Sequence, residues 1–195
     1  MENNLSGKKV AILVSDGFEQ VEYTKPREAL LNAGANVETV SLKSGKVKGW
    51  KHDHWGDEFP VDKTVENVKP EDYDGLVLPG GQMNPDNLRD NDKAVNFVKG
   101  FFTSEKPVAA ICHAPWVLVE ADVVEGRSMT SYSSIKTDLI NAGAIWKDQE
   151  VVVDGGLVTS RNPDDLPAFC ESMVKVMSEG ISAAKNNVNK ANAQS

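Results

Sequence analysis

The segment Pro107-Val108-Ala109-Ala110-Ile111-Cys112-His113-Ala114-Pro115 puts a thiol beside an imidazole where an apolar, strand-like run gives way to a helix start. Pro115 suits a first helical turn. In parallel α/β sheets ligands bind beyond the carboxyl ends of the strands, and a residue on a sharp strand-to-helix turn points its side chain outward. The helix start adds unpaired N–H groups and the positive end of a dipole, both of which favour thiolate over thiol. The chemistry implied is nucleophilic, with Cys112 as nucleophile and His113 assisting. A lone cysteine at a strand end is usually packing; at Cys112 position, imidazole and helix start coincide. Cys170, mid-helix in Leu166-Pro167-Ala168-Phe169-Cys170-Glu171 with no histidine nearby, is read as packing.

Counting histidines narrows the mechanism. The chain has only His52, His54 and His113. Papain-like proteases and class I glutamine amidotransferases need a histidine well downstream of the cysteine, which excludes an ordinary member of either group. There is no G-x-S-x-G elbow, G-x-G-x-x-G or Walker loop to support a serine hydrolase or a nucleotide site. Leu78-Pro79-Gly80-Gly81 ends the preceding strand-like run, and Gly80 and Gly81 let backbone N–H groups approach a ligand and build an oxyanion hole; the same residues also make a plain turn. Glu19, on the loop leaving the first strand, is either a solvated carboxylate or, if close to Cys112, an acid able to hydrogen-bond the sulfur and shuttle a proton. Lys51 to Glu58 holds metal-ligand residue types, with His52 and His54 facing the same way if extended, but it lacks a third ligand at an established spacing, and no metal is assigned. Trp50 and Trp55 suit a pocket rim or an oligomer interface equally well.

The elements that must position these residues alternate between strand and helix. Lys8 to Val14, Asn36 to Leu42, Gly75 to Leu78 and Pro107 to Ile111 read as strands. Helices are expected from Thr24 to Gly34, with Thr24 capping and Pro26 in the first turn, then from Asp92 to Ser104, His113 to Ala121, Ser134 to Asn141 and Asp164 to Ser178. Val47 to Asp62 reads as an excursion, a hairpin ending in a strand at Glu58 to Val61. Glu150 to Thr159, two strands joined through Asp154-Gly155-Gly156, reads as a second hairpin. The pattern predicts one three-layer α/β domain over residues 7–180 with a mostly parallel sheet, followed by a frayed tail over 181–195.

The bulk properties set limits. A net charge of −8 without a basic stripe argues against nucleic acid as a partner. No apolar run approaches the ~20 residues of a membrane span. Two cysteines are too few for a disulfide framework and the N-terminus has no secretory pattern, so a reducing cytoplasm is the expected location.

Ala110-Ile111-Cys112-His113-Ala114-Pro115 closely resembles the A-I-C-H-G-P signature of the PfpI intracellular-protease family, in the superfamily of the parkinsonism-associated protein and the bacterial stress chaperone/glyoxalase proteins. The resemblance runs from Lys8 to about Gly180 and includes Phe18-Glu19-x-Val21-Glu22, Leu78-Pro79-Gly80-Gly81, Asn141-Ala142-Gly143-Ala144 and Thr159-Ser160-Arg161. It implies a flavodoxin-like sandwich, Cys112 as nucleophile, Glu19 hydrogen-bonded to its sulfur, and oxyanion donors at Gly81 and the His113 backbone. In the PfpI proteases an acid just after the Gly-Gly turn reaches the histidine across a subunit interface. Asp86 takes that place here, in a segment one residue longer and with a shorter side chain. The resemblance further implies a cofactor-free enzyme, a homo-oligomer (dimer or hexamer), and action on small reactive carbonyls or glycated substrates. The alternatives are a peptidase using Cys112, His113 and a neighbouring subunit's Asp86, and a redox-sensing stress protein or chaperone without turnover.

Overall fold

The computed structural model describes residues 4–181. In chain order the elements are β1 (Lys9–Leu13), β2 (Phe18–Glu19), α1 (Gln20–Asn32), β3 (Asn36–Ser41), β4 (Lys46–Lys51), β5 (His54–Pro60), β6 (Lys63–Thr64) and β7 (Gly75–Leu78). They continue with α2 (Met83–Arg89), α3 (Asp92–Thr103), β8 (Val108–Ile111), α4 (Pro115–Glu120), β9 (Ser128–Met129), α5 (Lys136–Asn141), β10 (Ile145–Trp146), β11 (Val152–Asp154), β12 (Leu157–Ser160) and α6 (Leu166–Glu179).

A seven-stranded sheet runs β11-β12-β8-β7-β1-β3-β6, parallel throughout except for the β11–β12 hairpin. Its central strands are apolar along their length because both faces are covered. Val10, Ile12, Val77, Ala109 and Ile111 pack with Leu30 of α1 and Phe169, Met173 and Met177 of α6. Ala11, Leu13, Leu76, Leu78, Val108 and Ala110 pack with Leu88 of α2, Phe97 and Phe101 of α3, Leu118 of α4 and Leu139 of α5. The alternation of side chains along each strand divides the core into these two layers, giving a flavodoxin-like α/β/α sandwich. β7 and β8 are neighbours, so the turns that follow them lie side by side. Among the described residues no helix is long and apolar enough to cross a membrane.

The excursion is a hairpin, β4 antiparallel to β5 with Trp50 opposite Trp55. β5 is longer than the expected strand at Glu58 to Val61. The hairpin pairs with β2 as a separate three-stranded sheet, through Phe18–Gly49 and Glu19–Trp50. That pairing explains a correction at α1. The helix starts at Gln20, not at Thr24, and Pro26 lies inside it instead of in its first turn. The extended Glu19 (φ −62°, ψ 115°) ends the strand. The Gln20 side chain then bonds Asp57 twice, through Nε2 to Oδ2 at 2.7 Å and from the Asp57 N–H to Oε1 at 2.8 Å. These anchors set the helix start, and Pro26 removes only one backbone bond. α2 was not anticipated, although Pro85 and Asp86 in a first turn are ordinary helix-start residues. The expected tail lies outside the described residues apart from Ile181.

Leu30 is fully buried and ties α1 to the sheet. Leu30→Ala is expected to cost about 2–5 kcal/mol, read as a lower urea midpoint at unchanged slope; an unchanged midpoint would refute this packing.

Candidate active site

Cys112 is one residue beyond β8, at φ +64°. A non-glycine residue in this left-handed region costs about 1–3 kcal/mol and persists only where its surroundings hold it. Here the Cys112 N–H donates to the Ser160 carbonyl at 3.0 Å, and the Cys112 carbonyl accepts the Tyr132 N–H at 2.9 Å. The residue is 7% exposed. Sγ lies 3.2 Å from Nδ1 of His113, and the backbone N–H groups of Gly81 and His113 point toward it.

The carboxyl at the sulfur belongs to Glu22, which replaces Glu19 in the expected arrangement. Because α1 starts at Gln20, Glu19 sits at its outer end and turns toward His52 of the hairpin. Glu22, Pro26 and Leu30 form the buried face four residues apart, and Glu22 is fully buried. Glu22 Oε2 accepts the Gly80 N–H at 2.8 Å. The carboxyl faces the Cys112 thiol closely enough for each to change the other's proton affinity, while Oε1 is buried without a conventional hydrogen-bond partner. The i, i+4, i+8 spacing of Glu22, Pro26 and Leu30 was the available signal, hidden by starting the helix at Thr24.

The two glycines divide the work. Gly80's N–H is committed to Glu22, so it cannot serve an oxyanion as expected; the Gly81 N–H remains on the sulfur side. A Cβ at Gly80 would lie 2.6 Å from both Cys112 Cβ and Glu22 Oε2, and one at Gly81 (φ +78°) 2.5 Å from the Gly17 carbonyl oxygen. Only glycine permits this approach.

Asp86 does not touch His113 within the chain. It lies on the exposed side of α2, bonded to Arg89 at 2.8 and 3.0 Å. The Arg89 guanidinium covers Trp116 at 4.7 Å, and Trp116 meets the His113 ring edge-on at 5.3 Å. His113 instead finds Ser134, with Nε2 and Oγ 3.1 Å apart, and stacks on Tyr132 with centroids 4.7 Å apart. Neither Tyr132 nor Ser134 was singled out from sequence, because a fold contact twenty residues downstream of Cys112 brings them there. Among the described residues no three metal-ligating side chains gather; His54 pairs with Asp53 at 2.7 Å on the exposed hairpin tip.

Burial pushes the Glu22 carboxyl up to about 8, a rise opposed by the Gly80 N–H and increased by the Glu19 charge. Burial also raises the Cys112 thiol, with the Glu22 charge adding to it and the Gly81 and His113 N–H groups opposing it. His113 is lowered by burial and is neutral near pH 7. The pair therefore resists carrying two negative charges at once. A proton on Glu22 makes that carboxyl a donor to sulfur and removes the charge that otherwise opposes ionisation of the thiol. Such an array can attack an electrophilic carbon, receive the resulting oxyanion on two amides and move a proton at the adjacent carboxyl.

The chain belongs to the DJ-1/PfpI family, whose match covers residues 8–176. It is 48% identical to the candidate cysteine protease YraA of Bacillus subtilis, over 83% of this chain and 94% of YraA. It is 45% identical to protein/nucleic acid deglycase 2 of Escherichia coli, over 87% and 98%. Among solved structures, Drosophila melanogaster DJ-1beta superposes with a TM-score of 0.80 at 27% identity, over 93% and 97%.

Two outcomes follow from this site. A carboxyl raised on folding binds its proton more tightly in the native state. The stability it links is full below about 4.5 and is lost as pH rises to about 8. Glu22→Gln is expected to remove this slope, on the order of a few kcal/mol, from urea-unfolding stabilities measured across pH 4.5–8.5; an identical slope in both proteins would contradict the assignment. Gly80→Ala is expected to slow Cys112 alkylation by iodoacetamide at least tenfold and to lower the melting temperature.

Proposed function

We propose that the protein is a cysteine-dependent stress enzyme acting on reactive carbonyls and the glycation adducts they form. The observation that carries this reading is the Cys112 sulfur set between the Glu22 carboxyl and the Gly81 and His113 amides, beside a histidine that has no carboxylate partner among the described residues. The thiolate attacks the aldehyde carbon of methylglyoxal, giving a hemithioacetal whose oxygen is held by the two amides and takes the proton from Glu22, leaving its carboxylate. At an adduct, whose carbon already bears the hydroxyl, the thiolate displaces the carried amine or thiol, which takes that proton instead. The Glu22 carboxylate then removes the proton from the sulfur-bearing carbon and returns it to the neighbouring one, while the hydroxyl proton passes to the neighbouring oxygen, leaving a thioester. Water hydrolyses the thioester, releasing a hydroxy acid and the free thiol. For an adduct, the amine or thiol that had carried the carbonyl is released as well. Atoms balance as substrate plus one water, and no cofactor is consumed.

The names of the relatives support both deglycase and peptidase readings. The peptidase reading needs a carboxylate on His113 to sustain a thiolate–imidazolium pair, and with Asp86 bonded to Arg89 within the chain that carboxylate would have to come from a second subunit. The carbonyl reading needs none, because a neutral His113 suffices. Proteins and small thiols or amines are the proposed carriers of the adduct, since a net charge of −8 disfavours polynucleotides. Assembly into a homo-oligomer remains part of the proposal.

Wild type and Cys112→Ala assayed on methylglyoxal, a methylglyoxal-modified thiol and a fluorogenic peptide provide the test. Carbonyl turnover is expected to fall at least on the order of a thousandfold, with little peptide cleavage by either protein. Full methylglyoxal turnover by Cys112→Ala would overturn the proposal.

A further inference from the structure

We propose that Ser134 is a positioning residue that sets the tautomer of His113 from within the same chain, so that the imidazole presents an N–H to the Cys112 sulfur. This inference rests on the reading of Cys112 as the nucleophile and concerns what holds the histidine beside it.

Among the described residues the His113 ring has two polar contacts, at its opposite ends: Nδ1 with Cys112 Sγ at 3.2 Å and Nε2 with Ser134 Oγ at 3.1 Å. The ring is otherwise gripped by aromatic surface, stacked on Tyr132 and edge-on to Trp116, and the residue is 4% exposed. Burial keeps it neutral, and a neutral imidazole carries one N–H and one lone pair. Which nitrogen holds the proton is decided by the partner of the other.

A carboxylate at Nε2 can only accept, so it requires the proton there and leaves a lone pair at Nδ1 to take the thiol's proton. That is the general-base arrangement of a peptidase. A hydroxyl can donate. With the Ser134 O–H given to Nε2, the remaining proton sits on Nδ1 and points at sulfur, joining the Gly81 and His113 amides and stabilising the thiolate without an imidazolium. The carboxylate that could have enforced the opposite tautomer, Asp86, is occupied by Arg89 on the far side of Trp116. Ser134 is exposed, in the middle of the short 3-10 turn Ser133–Ile135, so substitution there leaves the core intact.

Ser134→Val and Ser134→Thr differ by one methyl-for-hydroxyl exchange, and Val also keeps water from replacing the hydroxyl. The measurements are the pH profile of Cys112 alkylation by iodoacetamide and the steady-state constants with methylglyoxal. The titratable and charged groups around the ring are Cys112, Glu22, Tyr132, and, across Trp116, Arg89, Asp86 and Asp138. All are common to both variants, so their titrations cancel in the comparison. Ser134→Val is expected to move the alkylation profile upward by about half a unit to one unit. It should lower kcat about tenfold with KM within about twofold, while Ser134→Thr restores both. A profile and kcat unchanged in Ser134→Val would overturn the proposal. So would an equal loss in Ser134→Thr, or an Asp86→Asn protein that shifts the profile where Ser134→Val does not. Alkylation reports on the sulfur without turnover. A shifted profile in a protein inactive on every carbonyl would therefore fault the functional reading and leave the role of Ser134 standing.

Discussion

The hydrogen bond from the Gly80 backbone to the Glu22 carboxyl is the contact around which the rest of the site is arranged. Removing a carboxyl from water is unfavourable unless it is neutral or well paired, and Glu22 is buried with a single conventional bond, at 2.8 Å. The fold accommodates this by letting the group keep its proton. Gly80 must lack a side chain for the bond to form, because a Cβ would occupy the space shared by Glu22 and Cys112. The carboxyl, the glycine turn and the thiol thus define one another's positions, although they come from three separate segments.

The strained turn at Cys112 belongs to the same arrangement. A left-handed conformation at a non-glycine residue survives because both of its peptide groups are bonded to strand or loop partners, Ser160 on one side and Tyr132 on the other. β12 and the loop after β9 therefore hold the Cys112 backbone, while α1 and the turn after β7 face its sulfur. Since β8 lies between β12 and β7 in the sheet, these two influences arrive from opposite sides.

Much of this was readable in the residues. The buried strands declare themselves as unbroken apolar runs, and the Cys112-His113 pair at a strand end before Pro115 marks the site without coordinates. The errors came where tertiary contacts override local signals. Thr24-Lys25-Pro26 is an attractive helix start, but the pairing of Phe18 and Glu19 with the hairpin starts the helix four residues earlier, which exchanges the roles of Glu19 and Glu22. Gly80 was grouped with Gly81 as an oxyanion donor because neighbouring glycines look alike in sequence; only the position of α1 shows that one amide is already taken. Tyr132 and Ser134 carry no local signature, since what matters about them is a loop path that periodicity does not encode.

The docking of the hairpin onto the first turn of α1 has an evolutionary corollary. Gln20 grips Asp57 with both ends of its amide, and the strand pairing beside it fixes where the helix begins. The depth to which α1 drives its acidic residue is thereby governed by an appendage that carries none of the reacting groups. Lengthening, shortening or re-tilting that appendage would retune proton affinity at the sulfur while every residue around it stayed the same. Descendants of one ancestral chain could in this way diverge in reactivity through a peripheral ornament, with the central machinery inherited intact.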